Sequence, residues 1–119
     1  MNRTDILLAQ LRTLEAEINA AGPFVLKLNQ QKVTKENMSF SGGNGRIALQ
    51  PCSDGYDISL SGKSLEAEMT PFMEHLCGRA CDGFKQTNKS IGKADQPFWR
   101  VKDFQFVVQA VNYYAKTRK

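Results

Sequence analysis

The chain has 119 residues, of which 41% are hydrophobic and 24% are charged. This size and balance indicate a soluble globular protein, so we expect residues 1–119 to form a single compact domain, and disordered and fibrous classes are excluded. No apolar run approaches the roughly 20 residues that a membrane span needs, which excludes a transmembrane helix.

The cysteines and the N-terminal segment indicate the compartment. Three cysteines, an odd number in a chain large enough to fold without disulfides, are typical of a reducing environment. The first 22 residues carry acids at Asp5, Glu15 and Glu17 and have spaced leucines, unlike a signal peptide. We therefore expect a cytoplasmic protein without a membrane partner.

The formal net charge of +4 is unevenly distributed. Residues 1–79 contain eight Lys and Arg against nine Asp and Glu, whereas residues 80–119 contain eight against three. The basic character therefore belongs to the last third, which is either a solvated terminus or a surface for an acidic partner.

The first predicted element is an amphipathic helix over residues 4–21, with Thr4 as its N-cap. Its apolar residues recur at spacings of four and three and form one stripe: Leu7, Leu11, Leu14 and Ile18. Gly22 and Pro23 end the helix, because glycine suits the end position and proline cannot continue it. The stripe either packs on a sheet, which we favour, or forms the seam of a homodimer.

Short runs of alternating or β-prone residues then predict four antiparallel strands, over residues 24–29, 37–41, 46–51 and 56–61. Glycine, asparagine and aspartate within 41–45 and 53–55 suit tight hairpin turns. Pro51 cannot donate to a ladder, so the third strand ends there or lies at an edge. The polar stretch 29–37 is either a long hairpin loop or a strand extension.

Two helices are predicted after the strands, over residues 65–82 and 103–116, with a loop over residues 83–98 between them. Within the first, Thr70 is predicted to cap the main helical segment and Pro71 to take its first position. The residues just before Thr70 form a preceding turn of helix. Asp103 caps the second. The predicted fold class is therefore α+β, with an N-terminal helix, a four-stranded antiparallel β-meander and two C-terminal helices packed on the sheet.

The stretch "HLCGRACDGFK" holds the only histidine and two of the three cysteines within eleven positions. On a helix, Cys77 and Cys81 share a face, whereas His75 points to nearly the opposite side. A structural zinc site needs four ligands, and Cys52 is the only further cysteine. We therefore expect Cys77 and Cys81 to be small core residues, with no metal and no cofactor.

The sequence carries no catalytic signature. The "GGNG" run is not a phosphate loop, because no Gly-Lys-Ser or Gly-Lys-Thr follows it. No histidine pair, Gly-x-Ser-x-Gly motif or two-carboxylate pattern is found, so we expect a protein that is not an enzyme.

Two binding hypotheses remain. The favoured one is a small protein-binding module, such as an adaptor, a chaperone-like partner or an inhibitory or regulatory protein, that contacts an acidic surface. The alternative is a nucleic-acid-binding protein that uses the aromatic residues interleaved with lysines and arginines in the last third. The predicted partner-binding residues are Lys85, Lys89, Lys93, Phe98, Trp99, Arg100 and Lys102.

Overall fold

A computed structural model describes residues 2–22, 25–41, 45–85 and 96–117. Three helices and six strands occur within these ranges. In chain order they are α1 (Arg3–Ala21), β1 (Lys27–Gln30), β2 (Met38–Ser41), β3 (Arg46–Cys52), β4 (Gly55–Ser61), α2 (Lys63–Cys77), β5 (Gly83–Lys85), β6 (Gln96–Val101) and α3 (Phe104–Thr117). The α+β class is confirmed.

All strand pairs in the sheet are antiparallel, and the spatial order is β1-β2-β3-β4-β6-β5. The predicted four-stranded meander corresponds to β1–β4, although β1 begins at Lys27 rather than at residue 24. The stretch 31–37 is a hairpin loop, closed by the hydrogen bond from Gln31 N to Asn37 O at 3.0 Å. Pro51 lies within β3, beyond Leu49, where the pairing with β2 ends, so its missing N–H leaves no gap in that ladder.

The prediction of only four strands is wrong, because the predicted loop 83–98 contains β5 and the start of β6. β6 pairs with β4 from Tyr56↔Val101 to Ser59↔Phe98, and β5 pairs with the outer side of β6. Proline and dispersed lysines hide a strand signal here, and the strands form because β4 offers a long-range partner. Residues 86–95 of the predicted loop lie outside the described residues.

Both ends of α2 differ from the prediction of residues 65–82. The helix begins at Lys63, so Pro71 lies inside it rather than in its first turn. Its apolar stripe explains this earlier start, since Leu65, Met69 and Met73 are all fully buried at spacings of four. The helix ends at Cys77, because Gly78 adopts the left-handed conformation (φ 72°) and donates to Glu74 O.

The caps of the other two helices have short polar side chains. At the start of α1, Asn2 rather than Thr4 is the N-cap, and its Oδ1 accepts from Asp5 N at 2.8 Å. Gly22 ends α1 with φ 48°, as expected from the sequence. At the start of α3, Asp103 Oδ1 accepts from Gln105 N at 2.9 Å, which confirms the predicted cap.

All three helices pack on one face of the sheet and form one hydrophobic core with it. The α1 stripe belongs to this core, since Leu7, Leu11 and Leu14 are buried and Ile18 packs against them. A homodimer through the stripe would therefore require α1 to leave the sheet. Of the helices that the structure describes, none combines the length and the apolar composition that a bilayer crossing requires.

Side chains of α1 also cover the outer edge of β1. Asn19 accepts from Leu26 N at 2.8 Å and donates to Leu26 O at 3.0 Å. Glu15 Oε2 accepts from Leu28 N at 2.7 Å. The helix thus satisfies backbone groups that an edge strand would otherwise expose.

Candidate partner-binding face

The side of the sheet opposite the helices is the candidate site, and we call it the open face. Alternate residues of each strand point to it, because side chains on a strand change face at every position. Between them, serines and an alanine form a floor of small residues. By register and contacts, the open face comprises Lys27, Asn29, Ser39, Ser41, Arg46, Ala48, Gln50, Cys52, Asp57, Ser59, Ser61, Lys85, Gln96, Phe98 and Arg100.

A buried carboxylate organises one half of this face. Asp57, on β4, has only 3% of its surface exposed. Its Oδ1 accepts from Arg100 Nε at 2.7 Å and its Oδ2 from Arg100 Nη2 at 3.0 Å. The guanidinium and the carboxylate thus form a bidentate pair. Lys85 Nζ donates to Asp57 Oδ2 at 2.8 Å and to Gln50 Oε1 at 3.1 Å. Side chains from β5 and β6 thus converge on one carboxylate of β4, and Gln50 of β3 joins the cluster through Lys85.

Asp57 remains ionised because its two partners outweigh its burial. Burial raises the pKa of Asp57, but the hydrogen bonds from Arg100 and from Lys85 lower it, and the net pKa lies below its ordinary value. The hydrogen bond to Asp57 also raises the pKa of Arg100, which moves further above the physiological range. Both charges of the pair are therefore fixed at neutral pH.

Phe98 forms an apolar support beneath the two cations. Lys85 Nζ lies 4.9 Å from the centre of the ring, and Arg100 Cζ lies 5.6 Å from it. A cation at such a distance is attracted by the negative face of the aromatic ring. The ring therefore helps to hold both cations, and its surface is partly occupied by them.

The backbone of Arg100 is anchored by the segment that follows α2. Asp82 Oδ2 accepts from Arg100 N at 2.7 Å, and Arg79 donates to Arg100 O. Arg79 and Asp82 pair with each other at 2.9 Å, and their hydrogen bond lowers the pKa of Asp82. Trp99 Nε1 donates to Arg79 O at 3.1 Å and so ties this segment to the core. Arg100 is thus held through both its backbone and its side chain.

The structure places the predicted partner-binding residues in different environments. Lys85, Phe98 and Arg100 lie together on the open face. Trp99 is 0% exposed and points into the core, because adjacent strand residues face opposite sides, so its side chain is not available to a partner. Lys102 is exposed just after β6. The remaining two, Lys89 and Lys93, lie outside the described residues.

The central residue of the cluster, Asp57, was missed by the sequence analysis. The run "YDISLS" already contained a usable signal, since Asp57 and Ser59 alternate with the apolar Ile58 and Leu60. Such alternation places the polar set on the face away from the core. What the run could not supply was the pairing of β4 with β6, which brings Arg100 to Asp57.

The two neighbouring cysteines do not share a helix face, contrary to the prediction. Cys77 is the last residue of α2, and Cys81 follows the helix. Both are half-buried against the core, and burial raises the pKa of the Cys77 thiol, which keeps it protonated. Across the described ranges, the structure has no group of three or more His, Cys, Asp or Glu side chains able to hold a metal ion.

Comparison with protein-family models, curated proteins and solved structures finds no match to this chain.

Proposed function

We propose that this chain is a small non-enzymatic protein-binding module, of the adaptor, chaperone-like, inhibitory or regulatory kind, whose open face docks on an acidic surface of another protein. The observation that carries the proposal is the convergence of Lys85, Arg100 and Phe98 around Asp57 on a sheet face that the helices leave uncovered. A fixed cationic cluster provides the charge complementarity that an acidic partner surface requires.

The charge of the whole open face supports an acidic partner. Its described positions include four cations and a single carboxylate, which is Asp57. The cations are Lys27, Arg46, Lys85 and Arg100. Lys27 and Arg46 lie in one row across the sheet, on either side of Ser41, so the positive charge extends from β1 to β5.

The surroundings of the aromatic residues favour a protein over a nucleic acid. Single-stranded nucleic acids bind by stacking bases on free aromatic rings. Here Phe98 is already in contact with two cations, Trp99 and Tyr114 are fully buried, and Tyr113 stacks on Phe72 at 3.9 Å. Phe84, at 60% exposure, is the described ring of this region that stays open to a base. Stacking of several successive bases needs more than one such ring, so nucleic-acid binding is the second candidate.

The test begins with affinity purification from the native host, with and without nuclease, followed by identification and purification of the partner. Its affinity is then measured for the parent protein and for the double variant Lys27→Glu with Arg46→Glu. Arg12→Glu with Lys63→Glu is the control, since it makes the same charge change on exposed positions of α1 and α2.

The open-face double variant should weaken binding at least about tenfold, whereas the control should stay within about twofold of the parent. Equal affinities in all three proteins would contradict the proposal. A partner that disappears after nuclease treatment, with a steep fall of affinity in salt, would identify the nucleic-acid alternative.

A further inference from the structure

The guanidinium of Arg100 uses only one of its two hydrogen-bonding edges within the described structure. Asp57 occupies the edge formed by Nε and Nη2. The second edge, formed by Nη1 and the remaining N–H of Nη2, has no acceptor among the described residues. The side chain is 53% exposed, so this second edge is accessible to a ligand. A guanidinium in this state is suited to bind a second planar anion.

The cluster has two cations for one hydrogen-bonded carboxylate. Lys85 and Arg100 both bind Asp57, whereas Asp54 acts on Arg100 through its charge without a hydrogen bond to the guanidinium. Lys85 Nζ uses two of its three N–H groups, on Asp57 and Gln50, and keeps one. An anion at the free edge of Arg100 would accept hydrogen bonds from Nη1 and Nη2 and would be attracted by both cations.

The site is also held in place before any ligand arrives. Asp57 fixes the guanidinium, Phe98 supports it, and Asp82 and Arg79 hold the backbone of Arg100. An arginine on a flexible surface must lose rotamer freedom when it binds, which weakens the complex. Folding already restricts the rotamers of Arg100, so less side-chain entropy is lost when a ligand binds.

We infer that the free edge of Arg100, assisted by Lys85, is a receptor for one aspartate or glutamate carboxylate of the partner protein. This inference rests on the proposed function and specifies its central contact. The guanidinium would then lie between two carboxylates, Asp57 from this chain and one from the partner. Lysine at position 100 would keep the charge but lose the paired geometry.

The inference can be tested with defined peptides before any partner is known. The probes are a fluorescent hexaglutamate peptide, the matching hexaglutamine peptide and a thymidine oligonucleotide of twenty bases. Binding is measured by anisotropy at low salt for the parent and for Arg100→Lys. The arginine side-chain N–H signals of the isotope-labelled parent are followed by NMR during each titration.

We expect the hexaglutamate peptide to bind and to shift the Arg100 side-chain signals, and the hexaglutamine peptide to do neither. Arg100→Lys should weaken hexaglutamate binding about tenfold at unchanged circular dichroism. Hexaglutamate binding without movement of the Arg100 signals would overturn the inference, and so would oligonucleotide binding tighter than that of hexaglutamate.

The inference and the proposed function fail in different ways. If Lys27→Glu with Arg46→Glu weakens binding to the identified partner while Arg100→Lys leaves that binding unchanged, the carboxylate receptor is wrong and open-face docking stands. If neither variant matters to that partner, both are wrong.

Discussion

Phe98 and Trp99 are neighbours on β6, yet their side chains lie on opposite faces of the sheet. Trp99 is fully buried and donates to Arg79 O, whereas Phe98 lies on the open face beneath Lys85 and Arg100. The two aromatic residues therefore have different tasks, one in stability and one in the arrangement of surface charge.

This difference gives the first prediction. Trp99→Ala should lower the free energy of unfolding by about 3–5 kcal/mol, because it removes a large, fully buried side chain and the hydrogen bond to Arg79. Phe98→Ala is the matched control on the other face and should cost about 1–2 kcal/mol, since that side chain is only half-buried. Urea denaturation followed by fluorescence and circular dichroism measures both. Equal losses would contradict the assignment of the two faces.

Periodic residues made much of the fold predictable. The stripe of Leu7, Leu11 and Leu14 predicted α1, and the alternation around Ile58 and Leu60 predicted β4. The end of α2 was harder, because Cys77 and Cys81 continue a helical spacing beyond Gly78. Only the left-handed backbone at Gly78 shows that the helix stops.

The second prediction concerns the α1 stripe. Leu11→Glu should unfold the protein, because it places an unpaired charge in a position that is 0% exposed. Ala16→Glu, an exposed position on the same helix, should leave the fold unchanged. Circular dichroism and light scattering on both variants test this. A folded, monomeric Leu11→Glu protein would instead support the dimer seam.

The third prediction follows from the charge of Asp57. Its pKa is lower in the folded than in the unfolded chain, so the folded state binds the proton less readily. The resulting stability is present above about pH 4 and is lost as the pH falls through the folded pKa. Asp57→Asn should therefore cost about 1–3 kcal/mol at neutral pH and progressively less in acid. Urea denaturation of both proteins, repeated in steps of about one pH unit between about pH 2 and about pH 7, measures the difference. A constant difference across this range would contradict a paired carboxylate.

The fourth prediction concerns Gln10 on α1, whose Oε1 is buried without a hydrogen-bond partner among the described residues. Gln10→Met keeps the length of the side chain and removes the unpaired amide. It should raise the free energy of unfolding by about 1 kcal/mol. Glu17→Met, at an exposed position of the same helix, is the control, and thermal unfolding compares the two variants with the parent. A destabilised Gln10→Met protein would mean that the amide does have a partner in solution.

The candidate site was predictable in part, and the reason is sequence distance. Lys85, Phe98 and Arg100 fall within one basic stretch, so composition alone grouped them. Asp57 lies 43 positions before Arg100, and only the pairing of β4 with β6 brings the two together. A local pattern does not encode that register, because strand pairing depends on the whole sheet. The same register explains why Trp99, adjacent to two site residues, points away from the site.

The hydrogen bonds of Glu15 and Asn19 to β1 also limit how the sheet can grow. Glu15 occupies Leu28 N and Asn19 occupies the backbone of Leu26, so a foreign strand cannot form its ladder at these positions while α1 is in place. Within the described ranges, only β5 at the other end of the sheet is left to accept one. Two copies joined through β5 would present a helix-covered β1 at both ends. A pair joined in this way would have hydrogen-bonded backbone groups at both outer edges, which disfavours growth into a fibre.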